Sequence, residues 1–148
     1  MEEKYIPVGK PKFISRKVYL ADTDATEIVY YAKYLEWMEA GRMDYLEEVI
    51  APFKEILAQN LTIMPIKASC EYKRPGLLGD IIQIETKVVD IGLTTVTIKN
   101  IFSKNDDAGK KILMAEGEVV LVFLDTLKKR PTKVPAFTIE KLKAFEAS

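Results

Sequence analysis

Between Tyr31 and Ile50 the apolar residues return every three or four positions, and from Met64 to Phe123 they return every second position. A period near 3.6 buries one stripe of a helix and a period of two buries one face of a strand, so this change of rhythm divides the chain. In the first stretch Tyr34, Leu35, Met38, Gly41, Tyr45, Leu46 and Val49 share a side, with Glu36, Asp44, Glu47 and Glu48 opposite. One long helix is predicted over residues 31 to 50. Pro52 ends it or opens a short second turn over FKEILAQ. In the second stretch Met64, Ile66, Ala68, Cys70 and Tyr72 alternate with Lys67, Ser69, Glu71 and Lys73, a strand closed by Pro75, Gly76, Gly79 and Asp80. IIQIETKVVD, LTTVTIKNIFS and KKILMAEGEVVLVFL follow as three more strands, the last with Leu113, Ala115, Gly117, Val119, Leu121 and Phe123 on its apolar face. KFISRKVYL reads as a strand ahead of the helix, and Thr138 is placed to cap a short helix that buries Ile139, Leu142 and Phe145.

Strand, long helix and four-strand meander make an α+β plan, with one helix covering one face of an antiparallel sheet. The uncovered edge of such a sheet calls for a second copy, so a dimer is expected. A length of 148 residues suits one domain over 1–148. Lys plus Arg and Asp plus Glu balance at 22 each, so no net field draws the molecule to nucleic acid or to an anionic membrane. No stretch has the roughly 20 apolar residues that membrane insertion needs. The opening MEEKYIPVGK lacks the apolar run of a signal peptide, and a lone Cys70 forms no internal disulfide, which together point to the cytoplasm.

The chain has no histidine. That removes Ser-His-Asp and Cys-His catalysis, and with a single cysteine it argues against a zinc site, so no metal is expected. No glycine-rich phosphate loop is present, so no nucleotide cofactor is expected either. Chemistry is left to carboxylates, Lys, Tyr, Thr or backbone dipoles. The stretch ADTDATEIVYY puts Asp22, Asp24 and Glu27 between the first strand and the helix start. Two readings of it stand: Asp and Thr as ordinary caps and turn formers, or a carboxylate set beside free helix N–H groups that can stabilise an oxyanion.

The motif DTD, followed by Ile28-Val29-Tyr30-Tyr31, by Tyr34-Leu35-Glu36-Trp37-Met38-Glu39 and by Arg42, resembles the hotdog-fold thioesterases of the 4-hydroxybenzoyl-CoA thioesterase type. It looks closest to the Tol-Pal-associated branch of small bacterial acyl-CoA thioesterases. YKRPGLLGD and KKRPTKVP are similar to later family segments, so the likeness runs from about Phe13 to Pro135. The resemblance implies a hotdog fold, an antiparallel sheet wrapped around one long helix. It further implies that two chains form a continuous sheet, that the sites lie at the interface, and that the assembly is a homodimer or homotetramer. It implies an acyl-CoA substrate, no cofactor, Asp24 as nucleophile or general base, and the Tyr31 backbone N–H as oxyanion donor. Glu27 stands where the family has glycine, and is expected either to act at the substrate site as a second carboxylate that positions water or to face solvent. Lys73 and Arg74, with Arg130 and Lys133, could neutralise CoA phosphates at the rim. Glu39 and Arg42 are spaced for a salt bridge, with a group across a dimer as the other partner for Arg42. The alternative to an enzyme is a non-catalytic hotdog module that binds acyl-CoA or another acyl thioester.

Overall fold

The computed structural model describes residues 4–148; the first three residues of the expected domain lie outside them. The change of period becomes a change of element. β1 (Lys12–Lys17) leads through a 3-10 turn (Leu20–Asp22) and a loop into α1 (Lys33–Val49), then α2 (Phe53–Ala58). Four long strands follow, β2 (Leu61–Tyr72), β3 (Ile81–Ile91), β4 (Thr95–Asn105) and β5 (Lys111–Asp125), and then β6 (Arg130–Pro131) and α3 (Ala136–Ala147). The sheet is antiparallel in the order β1-β3-β4-β5-β2, with β6 added to β5. This is the hotdog arrangement.

The core lies between α1 and the sheet face carrying Ile84, Ile98, Phe102, Ala115, Val119 and Leu121, all buried with Tyr34, Met38 and Tyr45 of the helix. Tyr34 meets Phe102 edge-on with centroids 5.1 Å apart. The helix crosses the sheet most closely at Gly41, where an added Cβ would sit 2.5 Å from Thr86 Oγ1 and 3.1 Å from Asn100 Nδ2.

Strict alternation fails at three bulges, one of them in β3 between Val88 and Asp90. Pro65 pairs with Leu121 and Lys67 with Val120, which leaves Ile66 unpaired. Proline has no N–H for the ladder, so the slip falls there. Ile63, Pro65, Ala68, Cys70 and Tyr72 therefore face the helix side, opposite Phe123, Leu121, Val119, Gly117 and Ala115. Met64 and Ile66, expected on that face, are 45% and 58% exposed. In β5, Phe102 pairs with Ala115 and Ser103 with Leu113, so Met114 drops into the core and Leu113 turns outward. On α1 the buried stripe is shifted toward Trp37, 4% exposed, and leaves Leu35 at 47%. Thr138 does not cap α3: Pro135 holds that position, and Thr138 is buried inside the helix with no partner for its hydroxyl among the described residues.

α3 packs Phe145 edge-on against Tyr45, centroids 5.6 Å apart. The next residue, Glu146, accepts hydrogen bonds from the Tyr5 hydroxyl and from the N–H groups of Val8, Gly9 and Lys10 at 3.1, 3.0 and 3.1 Å. Gly9, at φ +77°, gives the bend that lets three successive N–H groups converge. Glu146→Gln turns one acceptor into a donor facing donors, and is expected to cost about 1 kcal/mol. A urea titration checks it as a lower midpoint at unchanged slope.

Candidate active site

Two carboxylates of the DTD motif have separate duties. Asp22 Oδ2 accepts the Tyr19 N–H at 2.9 Å, and its Oδ1 lies 3.2 Å from Lys33 Nζ, which also pairs with Glu36 at 2.7 Å. Glu36 and Asp22 together hold the Lys33 ammonium above its ordinary 10.5. Asp22 thus ties the start of the loop to the first turn of α1. Thr23 then bridges Val29, flanked by Asp24 N–H to Ile28 C=O at 2.9 Å and Tyr30 N–H to Asp22 C=O at 3.0 Å.

Asp24 sits at the turn of this short pairing and is exposed. The Thr26 hydroxyl and N–H both donate to its Oδ1, at 2.6 and 2.8 Å. No donor lies within 3.5 Å hydrogen-bond distance of Oδ2 among the described residues, so Thr26 fixes one oxygen and the other is open. The Thr26 hydroxyl first, then the Thr26 N–H, holds the Asp24 carboxyl below its ordinary 3.8.

Glu27 has φ +63°, the left-handed conformation that glycine adopts without penalty. Its N–H still donates to Asp24 C=O at 3.1 Å and its C=O accepts the Leu78 N–H at 3.3 Å. The side chain is exposed and contacts no cation within 4 Å among the described residues. The turn therefore takes a left-handed backbone at a charged residue. Glu27→Gly relieves about 1 kcal/mol of left-handed strain, of which glycine's extra unfolded freedom offsets roughly half. A rise of about 1 to 2 °C in melting temperature is expected, read by calorimetry.

The segment after β2 lines the loop. Val29 N–H donates to Gly76 C=O at 2.8 Å and Ile28 bridges Leu77. A Cβ on Gly76 would fall 2.7 Å from Val29 Cγ2 and 3.1 Å from the Tyr34 hydroxyl, so only glycine allows this approach. Lys73 and Arg74 begin the segment, both N–H groups donating to Met114 C=O at 2.7 and 3.0 Å, with exposed side chains. Lys73 Nζ is 3.3 Å from Glu71. Arg130 and Lys133 are elsewhere: Arg130 pairs with Asp125 while Tyr72 pairs with Ala115. Ten strand residues (125 minus 115) separate those two levels, about 33 Å. One chain therefore does not gather all four cations.

At the entrance to α1 the Tyr30 carbonyl accepts the Lys33 N–H at 2.9 Å and the Tyr31 carbonyl accepts the Tyr72 hydroxyl at 2.9 Å. The N–H groups of Tyr31 and Ala32 have no acceptor among the described residues, as expected of a helix start. Burial pushes the Tyr34 and Tyr72 phenols up to about 12 and raises the Cys70 thiol, which keeps that sulfur protonated and unreactive. Arg42 is half-buried, its charge disfavoured by burial and supported by nearby Glu39. The two do not come within the 4.0 Å of an ion pair, so the expected helix salt bridge is absent. Among the described residues no helix is long and apolar enough to cross a membrane.

A model of the thioesterase-like superfamily matches residues 18–142. The chain belongs to that superfamily. The acyl-CoA thioester hydrolase YbgC of Escherichia coli is 28% identical over 127 residues, which cover 86% of this chain and 92% of that one. A mutant 4-hydroxybenzoyl-CoA thioesterase, solved with 4-hydroxybenzoyl-CoA, superposes with a TM-score of 0.83 at 18% identity, covering 89% of this chain and 98% of the other. The 1,4-dihydroxy-2-naphthoyl-CoA thioesterase of Synechocystis superposes at 0.79 with 18% identity, over 90% and 96%. The superfamily match begins just after β1 and ends within α3.

Thr26, Gly76 and Tyr72 adjoin the loop, although sequence reads Gly76 only as the close of β2 and Tyr72 as a packing residue of that strand. Thr26 had a local signal, since a hydroxyl two residues after Asp is the pattern of a side-chain turn. Tyr72 had none, being 41 positions from the carbonyl it binds.

Proposed function

We propose that this chain is a cytoplasmic acyl-CoA thioesterase, one domain over 1–148 that works as a homodimer or a tetramer of such dimers. The observation that carries the reading is Asp24, with Oδ1 fixed by Thr26 and Oδ2 open, in the loop that enters α1 with free Tyr31 and Ala32 N–H groups. Such donors stabilise the negative charge that develops on a thioester oxygen, typically by about 3 to 4 kcal/mol for one preorganised group. Asp24 acts in one of two ways. As base it takes a proton from water, whose oxygen attacks the carbonyl; as nucleophile it attacks directly and forms an anhydride that water then opens. In both, the C–S bond breaks and the sulfur leaves as CoA thiolate, which takes up a proton.

Lys73 and Arg74, at the rim beside the loop, are assigned to CoA phosphates. Glu27 keeps the turn in a glycine-like conformation, so the backbone gives no support to a purely non-catalytic module. Its exposed carboxylate is assigned to the substrate side of the turn. The dimer is supported by β2, a 12-residue edge strand whose outward groups Met64 and Ile66 lie open to solvent. A thiol-release screen over short, long and aryl acyl-CoAs tests the function. Turnover of at least one class is expected; calorimetric binding of acyl-CoA with no thiol release from any would overturn it in favour of a binding module.

A further inference from the structure

Tyr72 ends β2 and reaches across to the helix entrance. Its ring lies edge-on to Tyr34, centroids 5.3 Å apart at 75°, and its hydroxyl donates to the Tyr31 carbonyl at 2.9 Å beside the Cys70 thiol. In a trans peptide the C=O and N–H point in opposite directions, so pinning one aims the other. Lys33 N–H pins the Tyr30 carbonyl and thereby aims the Tyr31 N–H. Tyr72 pins the Tyr31 carbonyl and thereby aims the Ala32 N–H. The helix offers that carbonyl only the Tyr34 N–H at 3.4 Å, which is long for such a bond. A hydrogen bond received at a carbonyl also polarises the N–H of the same peptide.

We propose that Tyr72 is a positioning residue that aims and polarises the Ala32 N–H, making it a second donor to the oxyanion beside the Tyr31 N–H. The proposal rests on the thioesterase reading above and assigns it one further donor. Because the phenol ionises only near 12, it remains a donor throughout the neutral range.

Tyr72→Phe keeps the ring against Tyr34 and removes only the hydroxyl. With acyl-CoA, kcat is expected to fall about tenfold while KM stays within about twofold, since the bond acts on the transition state more than on bound substrate. In the free protein the Ala32 amide proton resonance should move upfield in this variant while that of Tyr31 holds. A fluorinated tyrosine at position 72, a stronger donor, should move it downfield. No thiol release by the wild type would sink the thioesterase reading. An active wild type with unchanged kcat in Tyr72→Phe, or an unmoved Ala32 resonance, would overturn the role of Tyr72 alone. So would a joint loss of kcat, rise in KM and lower melting temperature, which is the signature of a packing residue.

Discussion

Asp24→Asn is expected to lower thiol release by about a thousandfold while leaving the fold and its melting temperature in place. The amide has the carboxylate's shape, and its Oδ1 still accepts the Thr26 hydroxyl and N–H, so the turn survives. What disappears is the charge, and with it the ability either to take a proton from water or to attack a thioester carbon. Helix-start donors and substrate binding remain, which is why residual turnover is expected. A variant that stays folded and releases thiol at the wild-type rate would remove Asp24 from the mechanism. The pH profile gives a second handle. The working form is the carboxylate, and its pKa is held below the ordinary 3.8, so activity should be flat from neutral pH down through the usual carboxylate range and fall only below it. Thr26→Val deletes the largest cause of that depression and should shift the acid limb to higher pH.

Gly41→Val should be the most damaging of the stability changes, by about 3 to 4 kcal/mol. The first added carbon already meets Thr86 Oγ1 at 2.5 Å and Ile84 Cγ2 at 3.1 Å. Thr86 is not free to yield, because its hydroxyl accepts from Asn100 Nδ2 at 2.8 Å, and Asn100 Oδ1 is already buried with no partner among the described residues. Either α1 lifts from the sheet or that bond breaks. The gain of about 0.5 kcal/mol from replacing a helical glycine is too small to compensate. The loss is a large share of the roughly 5 to 15 kcal/mol that holds a domain together. Denaturant titration reads it directly, and a midpoint equal to wild type would mean that helix and sheet are not in contact there.

The long helix and the meander were legible because each spans many periods, and a pattern repeated over four or five turns survives local exceptions. The exceptions were not legible. Pro65 could have announced its bulge, but the slip that drops Met114 into the core and turns Leu113 out depends on register between β4 and β5, which no local window contains. Trp37 takes the place in the core expected of Leu35, which only the packing of the helix on the sheet decides. In the loop, the DTD motif places Asp24 ahead of the helix and the structure has it there, whereas the positive φ of Glu27 shows only in the fold. The basic rim was grouped by charge alone, and strand length sets Lys73 and Arg74 at one level of β5 and Arg130 at another, so within one chain they do not meet.

The grip of Thr26 on one oxygen of Asp24 also bears on timing. A carboxylate on an exposed turn would otherwise spin about its last bond and have to be caught in the right orientation at each turnover. Here two donors freeze that rotor when the chain folds, so the remaining lone pairs look in one direction before any substrate arrives. In the reaction proposed, the entropy of aiming belongs to folding, once per molecule, and no longer to catalysis.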